Sequence, residues 1–380
     1  MFLSKFPKVV FLLSLLALVL PLSVASGQVA GSAVIRDSSP GLSDQISVTM
    51  ADVPPLGDAE AYEGWLVSDD GSEKLSVGIL AVDANGVIDT SGDPYVNADG
   101  VNLTSIYDKF VITLEPVPDT DPGPSDRAAF SDQIPAAGMA HIRHLLYSWS
   151  GNPAYSSGAH EGTAKGIVPG LWEQTNTALT YANLSASSAT LAAVHLHAAH
   201  VINIVEGSDG ANFVADAGNP GDGFGVLNYA ADARKHAGFI VAALPSDATF
   251  VQFEPQVSES SDNVADWAGQ ARDFAILSRN QTNVTVATAF IKNSKSLLTR
   301  ALKGNDADRD GSIALGGSEG GATQTQWAAQ NMATYNPREG AALPDTGDVS
   351  WTLFAIIALA AGAVLVTAGG LVLRRGRATA

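Results

Sequence analysis

The sequence predicts a multidomain chain of the all-β plus all-α kind: a small β-sandwich, an α-helical bundle, then a single transmembrane segment. Three observations predict it. Alternating, β-rich stretches fill the chain up to residue 118, helical periodicity takes over near residue 131, and residues 351–373 carry no charge. At 380 residues there is room for two or three domains, and 46% hydrophobic against 16% charged residues marks a folding chain. There are no cysteines, which excludes thiolate metal sites, iron–sulfur clusters and c-type haem attachment.

The first element is a leader. Lys5 and Lys8 precede an apolar run from Val9 to Leu20, and Ser23-Val24-Ala25 supplies the small residues that a signal peptidase reads. Residues 1–25 are therefore expected to be removed between Ala25 and Ser26.

Residues 26–118 read as the β-sandwich. Strand signals recur at Ile46-Ser47-Val48-Thr49, Tyr62 to Val67, Val77 to Val82 and Phe110 to Leu114. Asp69-Asp70-Gly71 and Ala84-Asn85-Gly86 mark tight turns, because Asn and Gly accept positive φ. Tyr62-Glu63-Gly64-Trp65-Leu66-Val67, Gly78-Ile79-Leu80, Asp83-Ala84-Asn85-Gly86 and Val111-Ile112-Thr113-Leu114-Glu115-Pro116 resemble, in that order, the extracytoplasmic domain of anti-sigma-K-type regulators. The resemblance covers about a fifth of the chain and implies the sandwich fold. It does not carry over sigma-factor inhibition, since those regulators hold the sigma factor with a cytoplasmic N-terminal domain and this chain opens on a leader.

Residues 119–130, with Pro122, Gly123 and Pro124, read as a linker. Residues 131–340 read as the bundle, with helices expected near 132–149, 170–182, 186–206, 224–244, 261–279 and 284–303. All seven histidines fall in it. His141-Ile142-Arg143-His144 and His197-Ala198-Ala199-His200 each place two imidazoles three residues apart, on one helix face. Two such pairs on facing helices would give four nitrogens for a transition metal (zinc or copper) or axial ligands for haem. His236, four residues after Asp232, is a further candidate ligand with a carboxylate to orient it. The competing reading is a set of structural histidines on half-buried faces. There is no HExxH motif, and no nucleophile elbow gives a Ser/His/Asp set its geometry, so the reading favours a non-enzymatic role.

The stretch 306–319 carries a calcium signal. Asp306, Asp308, Asp310 and Ser312 stand at alternate positions, and Gly311 stands where a calcium loop turns sharply. The bidentate glutamate expected at position 12 is replaced by Gly317, and Glu319 is the residue that would close a longer loop. A solvated acidic turn is the alternative. Asp209 to Gly225, with Asp216, Asn219 and Asp222, is a weaker candidate of the same kind.

The C-terminal end resembles a cell-wall sorting signal. Leu343-Pro344-Asp345-Thr346-Gly347 precedes the apolar segment 351–373 and the basic tail 374–380 with Arg374, Arg375 and Arg377. That order implies sortase cleavage between Thr346 and Gly347 and linkage to cell-wall peptidoglycan, with a plain membrane anchor as the alternative. The chain holds 21 basic and 39 acidic residues, and five of the basic ones lie in these two ends. Such an acidic surface repels nucleic acid and suits cations. The sequence thus reads as an exported, envelope-anchored surface protein, probed by an unknown extracellular ligand. Its role is binding or structural with calcium support, or alternatively that of a metal- or haem-handling bundle.

Overall fold

A computed structural model describes residues 29–149 and 165–340. The cleavage pair Ala25–Ser26, the sorting residues 343–347, the apolar segment 351–373 and the tail 374–380 lie outside the described residues. Among the described residues no helix is long and apolar enough to cross a membrane.

Among the described residues ten strands form two antiparallel sheets. In the first, β2 (Gln45–Ala51) pairs with β1 (Ala30–Arg36), β5 (Ile88–Asp89) and β6 (Tyr95–Val96), and β1 pairs in turn with β9 (Thr334–Tyr335). The second runs β10 (Arg338–Glu339), β8 (Ala128–Gln133), β7 (Tyr107–Pro116), β3 (Glu60–Ser68), β4 (Lys74–Leu80). Alternation does the work expected of it. Ile46, Val48 and Met50 of β2 are buried, as are Phe110 and Ile112 of β7 and Tyr62 and Leu66 of β3. At Gly64 the register of β3 shifts, and a Cβ there would come within 2.6 Å of Val77 Cγ2.

Between β8 and β9 the described residues form the helices α1 (Ala136–Leu146), α2 (Ile167–Ser187), α3 (Leu191–Glu206), α4 (Val226–Ala243), α5 (Ala248–Arg279), α6 (Val284–Lys303) and α7 (Ala322–Met332). Side chains that cap backbone N–H groups start three of them: Thr190 for α3, Asp247 for α5 and Asn283 for α6. An arrangement occurs twice along this region. Two helices form a hairpin, a glycine with positive φ (Gly207, Gly304) ends the second, a Gly/Asp-rich loop follows, and another helix closes the unit. The hairpin corners are tied alike. Ser185 Oγ donates to Val194 O at 2.8 Å, and Ser278 Oγ donates to Ala287 O at 2.9 Å.

The fold class expected from the sequence is corrected here. Sandwich and bundle are not successive modules, because strands from beyond residue 118 complete both sheets: β8 falls across the expected linker, and β9 and β10 come after the last helix. One continuous apolar cluster runs from Ile35 and Met50 through Phe110 and Tyr335 to Ile142, Leu171 and Val264. Polar contacts cross the same boundary. Arg143 of α1 grips Asp69 of the β3–β4 turn through two bonds of 2.7 and 2.9 Å, and Gln330 Nε2 donates to Ser43 Oγ at 3.3 Å. The physical reason for the miss is local. Two-residue strands have no period to read, and Ala128-Ala129-Phe130-Ser131 has no strand propensity of its own until β7 pairs with it.

Candidate metal centre

Helix α1 places its apolar positions Ile142, Leu145 and Leu146 in the core, which turns His141 and His144 toward α4. The bidentate hold of Arg143 on Asp69 fixes that rotation from the other side, and the carboxylate raises the guanidinium's pKa. From α4, His236 enters with 2% of its surface exposed. Gly170 of α2 lets α4 seat closely, since a Cβ there would lie 2.4 Å from the Tyr229 ring.

His236 Nδ1 stands 3.2 Å from His141 Nδ1 and 3.3 Å from His144 Nδ1. The three candidate ligand atoms all lie within 4.8 Å of one another. The ring of Trp149 packs at 4.8 Å from His144 and 4.4 Å from His236, while Phe239 packs at 5.1 Å from His141 and 5.5 Å from His236. This aromatic collar keeps the imidazoles uncharged. Burial pushes His236 down to about 3, helped by His144 and His141, and burial lowers His141 and His144 as well.

Neutral imidazoles carry one proton and one lone pair each. A single sp² nitrogen on His236 can meet both other Nδ1 atoms only by sharing one proton between two lone pairs or one lone pair between two N–H groups, so each contact is a weak, divided bond. A cation at the centre satisfies all three. Tetrahedral coordination at 2.0–2.1 Å spaces neighbouring nitrogens about 3.3 Å apart, the separation found here. The structure therefore has a histidine group that could hold a metal ion. It does not suit haem, whose two axial nitrogens lie on opposite faces of a porphyrin and need a flat slot between them.

Three of the five histidine candidates thus converge, and the four-histidine site does not form. His197 and His200, on α3, turn instead to Tyr181 of α2, at ring distances of 5.9 and 4.8 Å, and His200 Nε2 donates to Ala217 O at 2.9 Å. Asp232 does not orient His236 either: its Oδ2 accepts from Trp149 Nε1 at 3.2 Å, and His236 Nε2 is buried without a partner. That hydrogen bond pins Trp149 over the cluster, a role for Trp149 that no sequence motif signals.

The second candidate is the loop between α6 and α7. Asp306, Asp308 and Glu319 offer oxygens within 4.8 Å of one another. Glu319 organises the loop by accepting from the backbone N–H groups of Ala307 (2.8 Å), Asp308 (3.2 Å) and Ala314 (2.9 Å), and the bonds from these amides lower its pKa. Gly311 has φ +92°, the turn that the calcium-loop pattern asks of it. Asp310 and Ser312 are not in that group: Asp310 Oδ1 accepts both Ser312 N and Ser312 Oγ, an Asx turn. Asp306 Oδ1 is buried with no partner. In the matching loop after α3, protein groups take up the polar atoms instead. Asn203 bonds Val214 and Gly218, and Asp222 accepts from Tyr229 and Phe224. Contrary to the expectation from the sequence, Gly316-Gly317-Ser318-Glu319-Gly320 does spell the nucleophile-elbow pattern, but it lies in this helix-to-helix loop and not at a strand-to-helix turn.

Searches against family models, curated proteins and solved structures found no match for this chain.

Proposed function

We propose that this chain is an exported, surface-displayed metal-binding protein whose centre is His141, His144 and His236, and that zinc or copper is the ion held. The convergence of three uncharged imidazoles carries the reading, because both Nδ1 contacts of His236, at 3.2 and 3.3 Å, have the spacing of neighbouring ligands on a tetrahedral ion. Three protein ligands leave the fourth position to water or to an exogenous donor. Surface display, with sortase and cell-wall peptidoglycan as partners, rests on the leader and on the placement of Leu343 to Gly347. The resemblance of the strand segments to anti-sigma-K-type domains is compatible with an extracytoplasmic location and adds no activity. One preparation tests both halves. Chain recovered from the envelope should begin at Ser26 and end at Thr346 with a wall fragment, and should carry about one zinc or copper ion per chain by elemental analysis. An N-terminus at Met1 would defeat export. Metal-free chain that takes up neither ion on dialysis would defeat the centre.

A second reading, calcium support by the 306–319 loop, is favoured by the partnerless Asp306 Oδ1 beside Asp308 and Glu319. Calcium at 100 times its dissociation constant stabilises by about 2.7 kcal/mol, so melts with calcium and with chelator should differ, and Asp308→Ala should remove the difference. Equal melts for the wild-type chain would leave a solvated turn. Asp310→Ala should matter less, since Asp310 turns to Ser312.

A further inference from the structure

A pocket of about 200 Å³, lined by no histidine, opens between the β1–β2 loop, the first turns of α2 and the first turns of α7. Its walls are the indoles of Trp172 and Trp327 together with Pro40 and Pro169. Trp327 is 47% exposed, a large aromatic surface left in water next to a second one. Neither indole N–H has a partner among the described residues.

The polar side of the pocket is built and held rigid. Asp37 accepts from Gly41 N at 3.0 Å, Ser43 N at 2.6 Å and Gln326 Nε2 at 3.3 Å. Those bonds shape the loop that carries Ser39 and Pro40, and they fix the Gln326 amide. Gln326 is 4% exposed, and its Oε1 has no partner. A buried amide oxygen without a donor is unfavourable, so its place on a residue of the pocket wall points to a donor that arrives from outside. The lining includes one carboxylate and no cationic side chain.

We infer that this pocket binds a single pyranose ring, a neutral hexose or N-acylated aminohexose. The ligand must be flat and apolar on its faces to lie against indole, and must offer hydroxyl donors at its rim for Gln326 Oε1 and Asp37 and acceptors for the indole N–H groups. A pyranose does all three. An anion meets the Asp37 carboxylate. A quaternary ammonium covers the aromatic faces but has no donor for Gln326 and no acceptor for the indoles. The volume has room for one ring. This inference is independent of the metal centre and is tested with chelator present.

The experiment is saturation-transfer NMR on the full-length chain with methyl glucoside, N-acetylglucosamine and, as a contrast, choline. A one-ring ligand with few polar contacts should saturate with a dissociation constant on the order of 1 mM. Trp327→Ala, at an exposed position that should leave the melting temperature unchanged, should weaken the pyranose signal about tenfold. Gln326→Leu should weaken it too while leaving the aromatic walls in place. The inference fails if no pyranose gives saturable transfer, if choline alone does, or if Trp327→Ala binds as the wild type does.

Discussion

Zinc or copper should raise the melting temperature of the wild-type chain and leave that of His236→Gln where it was. With the ion at 100 times its dissociation constant, the gain is about 2.7 kcal/mol, or about 5 °C for a chain of this size. Loss of one of three ligands should cost more than the roughly 10- to 100-fold that removal of an outer-shell partner costs. His144→Ala, at a half-buried position, gives a second variant in case His236→Gln is poorly folded. Acid supplies a separate readout on metal-free chain. His236 titrates at about 3 in the folded state, against about 6.5 when unfolded. Below pH 6.5 the unfolded chain binds a proton that the folded one refuses, so stability falls as pH falls toward 3 and levels off beneath that. At pH 5 the loss from this residue is about 2 kcal/mol, and the glutamine variant should lack it. A wild type that melts alike with and without metal, or a glutamine variant that still takes up the ion, would refute the centre. Failure of the acid effect alone would show that His236 is less desolvated than its burial indicates.

What the sequence disclosed depended on how local the signal was. Helix α6 is read with its observed ends, 284–303, because Asn283 caps it and its apolar residues keep a helical period. Helix α5 begins at Ala248, 13 residues before the periodic stretch at 261, since Pro255 and the polar run after it hide a helix that tertiary packing sustains. Helix α7 is so rich in Gln and Asn that nothing marks it as buried, yet Gln324, Gln326 and Gln330 are all in the interior. The acidic loop is a contiguous motif, and the convergence of Asp306, Asp308 and Glu319 follows from its order of residues. The histidine centre is half local. The pair on α1 is legible from its spacing, but its partner lies 95 residues away from His141, and the pairs at 141/144 and 197/200 look alike in sequence. Only the packing of α1 against α4 separates them. The doubled hairpin arrangement is likewise invisible, because what it repeats is a set of corners and caps and not a string of residues.

Tyr335 shows how far the two layers depend on each other, and its removal should have the largest effect on stability of any single change considered. It arrives from beyond α7, pairs through β9 with Ala33, and is fully buried. Its ring lies 6.1 Å from Phe110, and its hydroxyl donates to Tyr107 O at 3.2 Å, so it touches both sheets. Burial pushes its phenol pKa far up, which keeps that donor in place at any ordinary pH. Tyr335→Ala removes a large ring from a packed interior and should cost about 3–5 kcal/mol. That is a large part of the roughly 5–15 kcal/mol that holds a typical protein folded. Tyr335→Phe keeps the ring and loses only the hydrogen bond, and should cost about 1 kcal/mol. Urea unfolding followed by hydrogen exchange of the strand amides and by helical circular dichroism distinguishes one cooperative unit from two modules. Because Ile35, Phe110, Tyr335, Ile142 and Val264 belong to one apolar cluster, both signals should move together to lower urea in Tyr335→Ala. Separate transitions, with the helical one unmoved, would mean that the bundle stands without the sheets and that the shared core contributes little.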